Sequence, residues 1–522
     1  ALALATGAQA VEVTVAAENL IITSSSSVGA VLQEKTIQDL PLVSNNVLDL
    51  VGVMAGVRMT NDAIFGAEQT NFAGVSARDI NVTRDGISIN NQRWPNGLDS
   101  PTRMNPDLVG EIKLILAPVD AEMGRGNGQV QIQTRSGTNA IHGALVWNVQ
   151  NSALDANTWA NNSKSPVVTP PWRNQHEYNI AVGGPIKKNK TFFYALWDQN
   201  IVSSRTTAYP TVLTDCARRG IFRYFDNFNN GNANQIPSGG ATPTVPTVNL
   251  DGSPRSPDGS PVRYLSVFGT LAANPTKNDC SDAQINASTL VPTGSGAPWD
   301  PLRTQLDTSG FINTTLASMP HANAFDNPGN LVASTGFFGA TYAPEGLNTA
   351  TTRWVQTTHG NDNLFGVGGA NNRKQINVKI DHSFNVRHKV NGSYSYEKDV
   401  SDDAALPQWE TVPPGQDIRK PQVLSVNFTS TLSTSMLNEA RFGFSRTGAN
   451  TGGSGQREDV GADIMAKLPL VNNERILTNV GFQNMAFGNG ILGGLTYASH
   501  EVSPRWIYGD TFSWTRGKHS FK

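Results

Sequence analysis

The densest run of residues able to grip a ligand is GRGNGQ (124–129), whose glycines resemble a phosphate-cradling loop. A dinucleotide fingerprint needs a helix to follow, so that the helix N-terminus meets the pyrophosphate. Here VQIQTRSG follows and alternates like a strand. The nucleotide reading is therefore set aside. The histidines form no HExxH, and His382 and His388, the closest pair in the strand-rich part, sit on a strand and its turn with no cysteine or carboxylate at ligand spacing. No metal and no cofactor is expected. There is no G-x-S-x-G elbow and no Ser/His/Asp set, and the carboxylates are too scattered for acid/base pairing, so the chain is not read as an enzyme. Cys216 and Cys280 fall in the longest loop-like stretch. They are either two thiols or a disulfide; paired, they imply an oxidising compartment and restrain the loop by about 4 kcal/mol on a chain-entropy estimate.

Composition narrows the partners. Lys+Arg number 40 against 42 Asp+Glu, a net charge of -2, with no basic block. That removes the electrostatic footprint of a nucleic-acid binder. Charged residues are only 16%, with Gly 49 and Pro 29 high. No stretch is long and apolar enough for a helical span, but a β-barrel wall escapes that test because only alternate residues face lipid. The ends, ALALATGAQA and GKHSFK, read as those of an internal fragment.

The elements that position these residues divide at about residue 138. In the first part Ser44 is placed to cap a short helix carrying Val47, Leu48, Leu50, Val51 and Met54 at spacings of three and four, ended by Gly56. Short β-like pieces follow: DINVTRDGISI (79–89), with Asp85-Gly86 as its turn, EIKLILAP (111–118) and GQVQIQTRSG (128–137). From Asn139 the pattern is alternation at period 2. In QINVKIDHSF (375–384), Ile376, Val378 and Ile380 point one way and Gln375, Asn377 and Lys379 the other, giving an apolar face and a face expected to be wet. On that reading an Arg at Asn377 should be tolerated in a lumen. Similar strands are expected at 141–150, 176–184, 190–200, 389–397, 423–429, 438–445 and 504–515, with the start of another at the end.

The connections alternate in length. Those at 151–174, 201–374, 398–422 and 446–503 are long; GPIKKN, NVRH, STSM and RGKH are short. Outer-membrane barrels have this asymmetry, with short periplasmic turns and long extracellular loops. A soluble sandwich with insertions is the alternative, since loop length costs little.

Three stretches carry a family resemblance: VEVTVAAENLIITSSSSVGAVLQEKTIQDLPL (11–42), FAGVSARDINVTRDGISIN (72–90) and VDAEMGRGNGQVQIQTRSGTNAIHGALVWNVQNSALDANTW (119–159), continued by GGPIKKNKTFFYALWDQN (183–200). The chain resembles a TonB-dependent outer-membrane receptor of the Oar-like, acidobacterial type. The resemblance implies an α+β plug domain followed by part of an antiparallel transmembrane β-barrel, about 8 of about 22 strands. The implied boundaries are a periplasmic linker at 1–19, the plug at 20–138 and the barrel at 139–522, with a long extracellular loop at 206–370. It places the protein in the bacterial outer membrane, in contact with its lipid. There it would import a small molecule, oligosaccharide or peptide with energy relayed by TonB and its inner-membrane complex. Val11, Glu12, Val13, Thr14 and Val15 resemble the TonB box, an extended segment that adds to a partner's sheet edge; an ordinary linker strand is the alternative. Asn90, Asn91, Gln92, Arg93 and Trp94 form the candidate ligand-contact loop at the plug apex, against a loop that merely packs on the wall. A surface adhesion barrel, using the long loop without transport, is the second functional expectation.

Overall fold

The computed structural model describes residues 29–40, 45–61, 68–72, 79–90, 100–115, 128–208, 210–225, 245–266, 319–325, 346–360, 372–403, 414–452, 457–466 and 499–522, with positions 42 and 98 and short pieces at 230–231, 316–317, 409–410, 470–471 and 474–475. The N-terminal part has strands β1 (Gly29–Gln33), β2 (Val57–Asn61), β3 (Glu68–Phe72), β4 (Ile80–Arg84), β5 (Ile87–Ser88), β6 (Val109–Ile115) and β7 (Gly128–Thr134). Five of them make a mixed sheet in the order β1-β6-β7-β4-β5, in which only β4 and β7 are parallel. Val82, Ile112, Leu114, Val130 and Ile132 pack from this sheet against Val47, Leu48, Leu50 and Val51. Each such side chain, fully buried, contributes about 1.5–3 kcal/mol.

Those last four lie on a 3-10 helix, Val47–Val53, rather than the expected α-helix. Its cap is Asn46, whose side chain accepts from Leu48 N at 3.4 Å, and not Ser44, which lies outside the described residues. Three apolar residues in four turn one face into the core in either helix type, so the pattern located the element without choosing its pitch. Gly56 ends the segment with a positive φ of 83°, and a short α-helix at Glu34–Asp39 was not anticipated.

A second sheet carries the period-2 strands: β8 (His142–Asn151), β9 (Arg173–Lys187) and β10 (Thr191–Ala208) before the longest connection. That connection holds β11 (Thr211–Leu213), β12 (Ile221–Tyr224), β13 (Asn230–Gly231), β14 (Val245–Pro246), β15 (Arg263–Ser266) and β16 (Thr349–Thr351). The wall resumes with β17 (Trp354–His359), β18 (Arg373–Ser383), β19 (His388–Asp403), β20 (Gly415–Arg419), β21 (Gln422–Ser433) and β22 (Met436–Gly452). After the pair β23 (Leu470–Val471) and β24 (Glu474–Arg475) come β25 (Ser499–Arg516) and β26 (His519–Phe521). The wall is one 11-stranded antiparallel sheet whose main path runs β26-β25-β22-β20-β19-β18-β10-β9-β8, with β17 and β21 paired alongside. It is not closed on itself. All the segments expected to be strands fall within it, and most run beyond their expected ends toward the long connections. β17 and β20 were not foreseen; they add height at that end.

The faces are sorted as the alternation demands. Ile376 and Ile380 are 46% and 45% exposed, whereas Gln375 and Asn377 are each 1% exposed. The polar face is therefore not wet: the N-terminal domain covers it. An Arg at Asn377 would have no lumen to enter, which corrects the expectation above. The long connection is folded where it is described. Val212 and Met319 pack with Trp409, Phe225 packs with Val248 and Leu347, and the Arg223 guanidinium donates to Leu347 O.

Candidate functional site

The candidate site is the contact between the N-terminal domain and the polar face of the wall. Its centre is the turn between β4 and β5. Asp85 and Gly86 both have positive φ, 46° and 81°, the twist a tight two-residue hairpin turn requires and the reason for Asp-Gly there. The turn enters the wall with Asp85 3% exposed. Within its own domain the Asp85 carboxylate accepts from Thr134 N at 3.0 Å and Thr134 Oγ1 at 2.8 Å. From the wall it receives Lys379 Nζ at 3.5 Å and Ser393 Oγ at 2.7 Å. Its carbonyl accepts from Ser425 Oγ at 2.9 Å and Asn427 Nδ2 at 3.0 Å. One residue thus engages β18, β19 and β21. Burial pushes the Asp85 carboxyl up, but Lys379 and Arg84, with Thr134 and Ser393, outweigh it and hold the group below the usual carboxylate range.

Arg84, beside it, is also buried. Its guanidinium donates to Thr102 Oγ1 at 3.2 Å and to Asn377 Oδ1 of β18 at 3.1 Å. A second contact follows residues 102–107. Arg103 N donates to Glu397 Oε2 at 2.7 Å, Gln375 Nε2 donates to Arg103 O at 2.9 Å, and Asn105 Nδ2 donates to Asp198 Oδ2 at 3.0 Å. Asp198 and Glu177 are both paired with Arg373. The Tyr194 hydroxyl donates to Asp107 O, and Ala181, Leu196 and Val423 add apolar contact from the wall.

The TRSG motif connects the two parts. Arg135 Nη2 donates to Pro106 O at 3.1 Å, and Arg135 Nη1 lies 3.5 Å from Glu34. Gly137 then passes so close to the wall that a Cβ there would fall 2.2 Å from Phe193 O and 2.7 Å from Gly184 O. Only glycine fits. Chemically the arrangement binds one folded body against the inner face of another through hydrogen bonds and paired charges. Breaking one side of such a buried pair costs about 3–5 kcal/mol, while water can replace the whole set when the two bodies part together.

Among the expected site residues, those at 11–15 and 91–94 lie outside the described residues. Asn90 is described, and its side chain closes the β4–β5 hairpin: Oδ1 accepts from Val82 N at 2.7 Å and Nδ2 donates to Ile80 O at 3.2 Å. Cys216 is buried and disulfide-bonded, and Cys280 lies outside the described residues. Sequence reasoning missed Arg84, Arg103, Lys379 and Glu397. Their signal was present: charges of both signs, Glu177, Asp198, Arg373, Lys379 and Glu397, recur on strand faces that water alone would not require to be charged. Among the described residues no three His, Cys, Asp or Glu cluster as metal ligands, and no helix is long and apolar enough to cross a membrane, which says nothing of strands.

Residues 133–522 match the family model of the outer membrane beta barrel domain, and residues 22–129 match that of the TonB-dependent Receptor Plug Domain. No curated protein matches. Among solved structures, the outer membrane transporter YddB from Escherichia coli is similar at 11% identity and a TM-score of 0.42, over 81% of this chain and 39% of that one. A point mutant of the ferric enterobactin receptor PfeA from Pseudomonas aeruginosa gives 9% and 0.38, over 81% and 41%. The ferric preacinetobactin receptor BauA from Acinetobacter baumannii gives 8% and 0.36, over 94% and 56%. The chain thus spans less than two thirds of the length of each.

Proposed function

The chain belongs to the outer membrane beta barrel domain family, and from that premise we propose that it is part of a TonB-dependent transporter of the bacterial outer membrane. The observation that carries the proposal is a plug-type domain seated on the inner face of the wall by the buried Asp85–Lys379 and Arg103–Glu397 contacts. A plug held this way blocks passage at rest and is released by work done on it. In this reading 1–19 is the periplasmic linker, 20–138 the plug and 139–522 the first part of a barrel of about 22 strands, of the Oar-like type. Residues 11–15 are the segment that TonB grasps by strand addition, drawing on the inner-membrane proton gradient. The apical loop 91–94 offers amides, a guanidinium and an indole to a small-molecule, oligosaccharide or peptide substrate, with Asn90 anchoring its base. Cys216 pairs with Cys280 and braces the long extracellular connection.

The folded state of that connection, built on Val212, Met319 and Trp409, favours a second reading in which the surface binds a matrix or another cell without transport. One experiment in the full-length receptor separates the two. Val13→Pro removes a backbone donor and should abolish accumulation inside cells while leaving surface binding intact; Val13→Thr should be mild. Unchanged uptake in the proline variant would remove this segment from the mechanism. Substrate-uptake profiling of a deletion strain would identify the cargo, and no uptake defect with lost cell binding would support adhesion.

A further inference from the structure

The outward face of the wall can be read row by row from the strand register. Val378, Tyr394, Leu424, Phe444 and Trp506 are successive cross-strand partners on β18, β19, β21, β22 and β25 and form one apolar row. Moving toward the long connections, the next outward row is Ile376, Tyr396, Gln422 and Arg446. Above it Lys374 pairs with Lys398. Asp399 pairs with Arg419, so Lys398 and Lys420, the residue just past β20, are the next pair along. Three lysines from neighbouring strands therefore stand side by side at one height, with Arg446 one step beneath. Like charges directly opposite on a sheet are destabilising, so a row of lysines is unfavourable by itself. An anion placed among them reverses the sign.

One such anion is present. Glu458, on the connection between β22 and β25, puts its carboxylate oxygens 2.9 Å from Lys398 Nζ and 3.1 Å from Lys420 Nζ. It is held there by its neighbour, since Arg457 Nη1 lies 2.9 Å from Asp402 Oδ1. Lys374 has no carboxylate at ion-pair distance among the described residues, so two of the three cations share one acid and the third has none. This row sits at the long-connection end of an apolar face that is itself exposed, Ile376 at 46% and Trp506 at 58%.

We propose that Lys374, Lys398 and Lys420, with Arg446 below, form a site for the phosphorylated headgroup of an outer-leaflet lipid, and that Glu458 is a tethered competitor for it. The ligand must be amphiphilic, because the charges lie on the membrane-facing side directly above rows that bury hydrocarbon. A soluble anion would use only the upper half of the surface. A basic side chain near an anionic lipid surface contributes about fivefold in affinity, so three together contribute about a hundredfold.

The test uses the full-length receptor, purified and titrated with lipid A, with lipid A stripped of its phosphates, and with inorganic phosphate, binding being followed by native mass spectrometry. Lipid A should bind at least tenfold more tightly than the other two. The triple variant Lys374→Gln, Lys398→Gln, Lys420→Gln should lose about a hundredfold, and Glu458→Gln should bind several-fold more tightly than the unaltered protein. Heat-modifiable migration would confirm that each variant is folded; should the triple variant fail that check, Glu458→Gln and the phosphate-stripped lipid decide alone. Equal binding of stripped lipid would overturn the proposal, as would inorganic phosphate binding as tightly as lipid A. Tighter binding absent in Glu458→Gln would overturn the competition.

Discussion

At the scale of single residues, Asp85 bears the most. It is a turn residue by its backbone, an acceptor for Thr134 within its own domain, and the partner of Lys379 across the contact. Asp85→Asn keeps the shape and removes the charge, stranding Lys379 in a buried position. The expected loss is about 3–5 kcal/mol of docking stability, and Lys379→Met added to it should recover part, because the second change removes the stranded charge. Hydrogen exchange of 128–134 in the full-length receptor would read both; additive losses would show that the pair does not act as one. The acid response follows from the lowered titration of the carboxyl. Its contribution is complete above the ordinary carboxylate range, roughly pH 4, and fades as pH falls through the lower value held in the folded protein. Plug exchange should therefore be flat from neutrality to about pH 4 and rise only in stronger acid; a rise near neutrality would point to a different group.

At the scale of a strand, β18 presents two chemistries at alternate residues. Ile376→Arg places a cation on the lipid-facing side and should cost about 2–4 kcal/mol at the midplane and less toward the rim. Asn377→Arg should be at least as harmful, for a different reason. Asn377 Oδ1 accepts from Arg84 at 3.1 Å in a position 1% exposed, so a second guanidinium would replace the oxygen to which the first donates and set two cations together in a buried place. Folding yield in outer-membrane extracts would score the first variant, and protease sensitivity of 79–90 the second. Damage at Ile376 alone, with Asn377→Arg silent, would mean that the plug does not rest on this face. The strand was legible in the sequence because its period-2 pattern is local. What covers its polar side was not, because Asp85 and Lys379 are 294 positions apart.

Across the whole molecule, the alternation of long and short connections puts all the elaborated segments at one end of the wall. If that end is extracellular, a cysteine introduced at Arg255 should be labelled by an impermeant reagent added to intact cells, whereas one at Lys188, in the turn between β9 and β10, should not. Equal labelling of both would invert or abolish the topology. The same end carries the tied connections: Trp409 packs into the long one with Val212 and Met319, and Arg457 and Glu458 fasten another to β19. The connections at this rim are thus linked to one another, not independent.

What the sequence determined by itself was set by neighbours along the chain. Alternation made the wall strands, Asp85-Gly86 made its turn, connection lengths sorted the two ends, and the long run at 119–159 pointed to the receptor family. Tertiary structure alone decided which polar groups are buried and that lysines from separate strands stand in one row; the Asn46 cap of a 3-10 helix, where an α-helix capped by Ser44 was expected, and the Asn90 bonds within the hairpin are local contacts that the apolar pattern did not specify. For the buried groups and the lysine row the physical reason is the same. A local pattern records which way a side chain points, because backbone geometry repeats every two residues in a strand, but the energy of a buried charge or amide depends on the group opposite it, and that group arrives from a distant part of the chain only when the fold is complete.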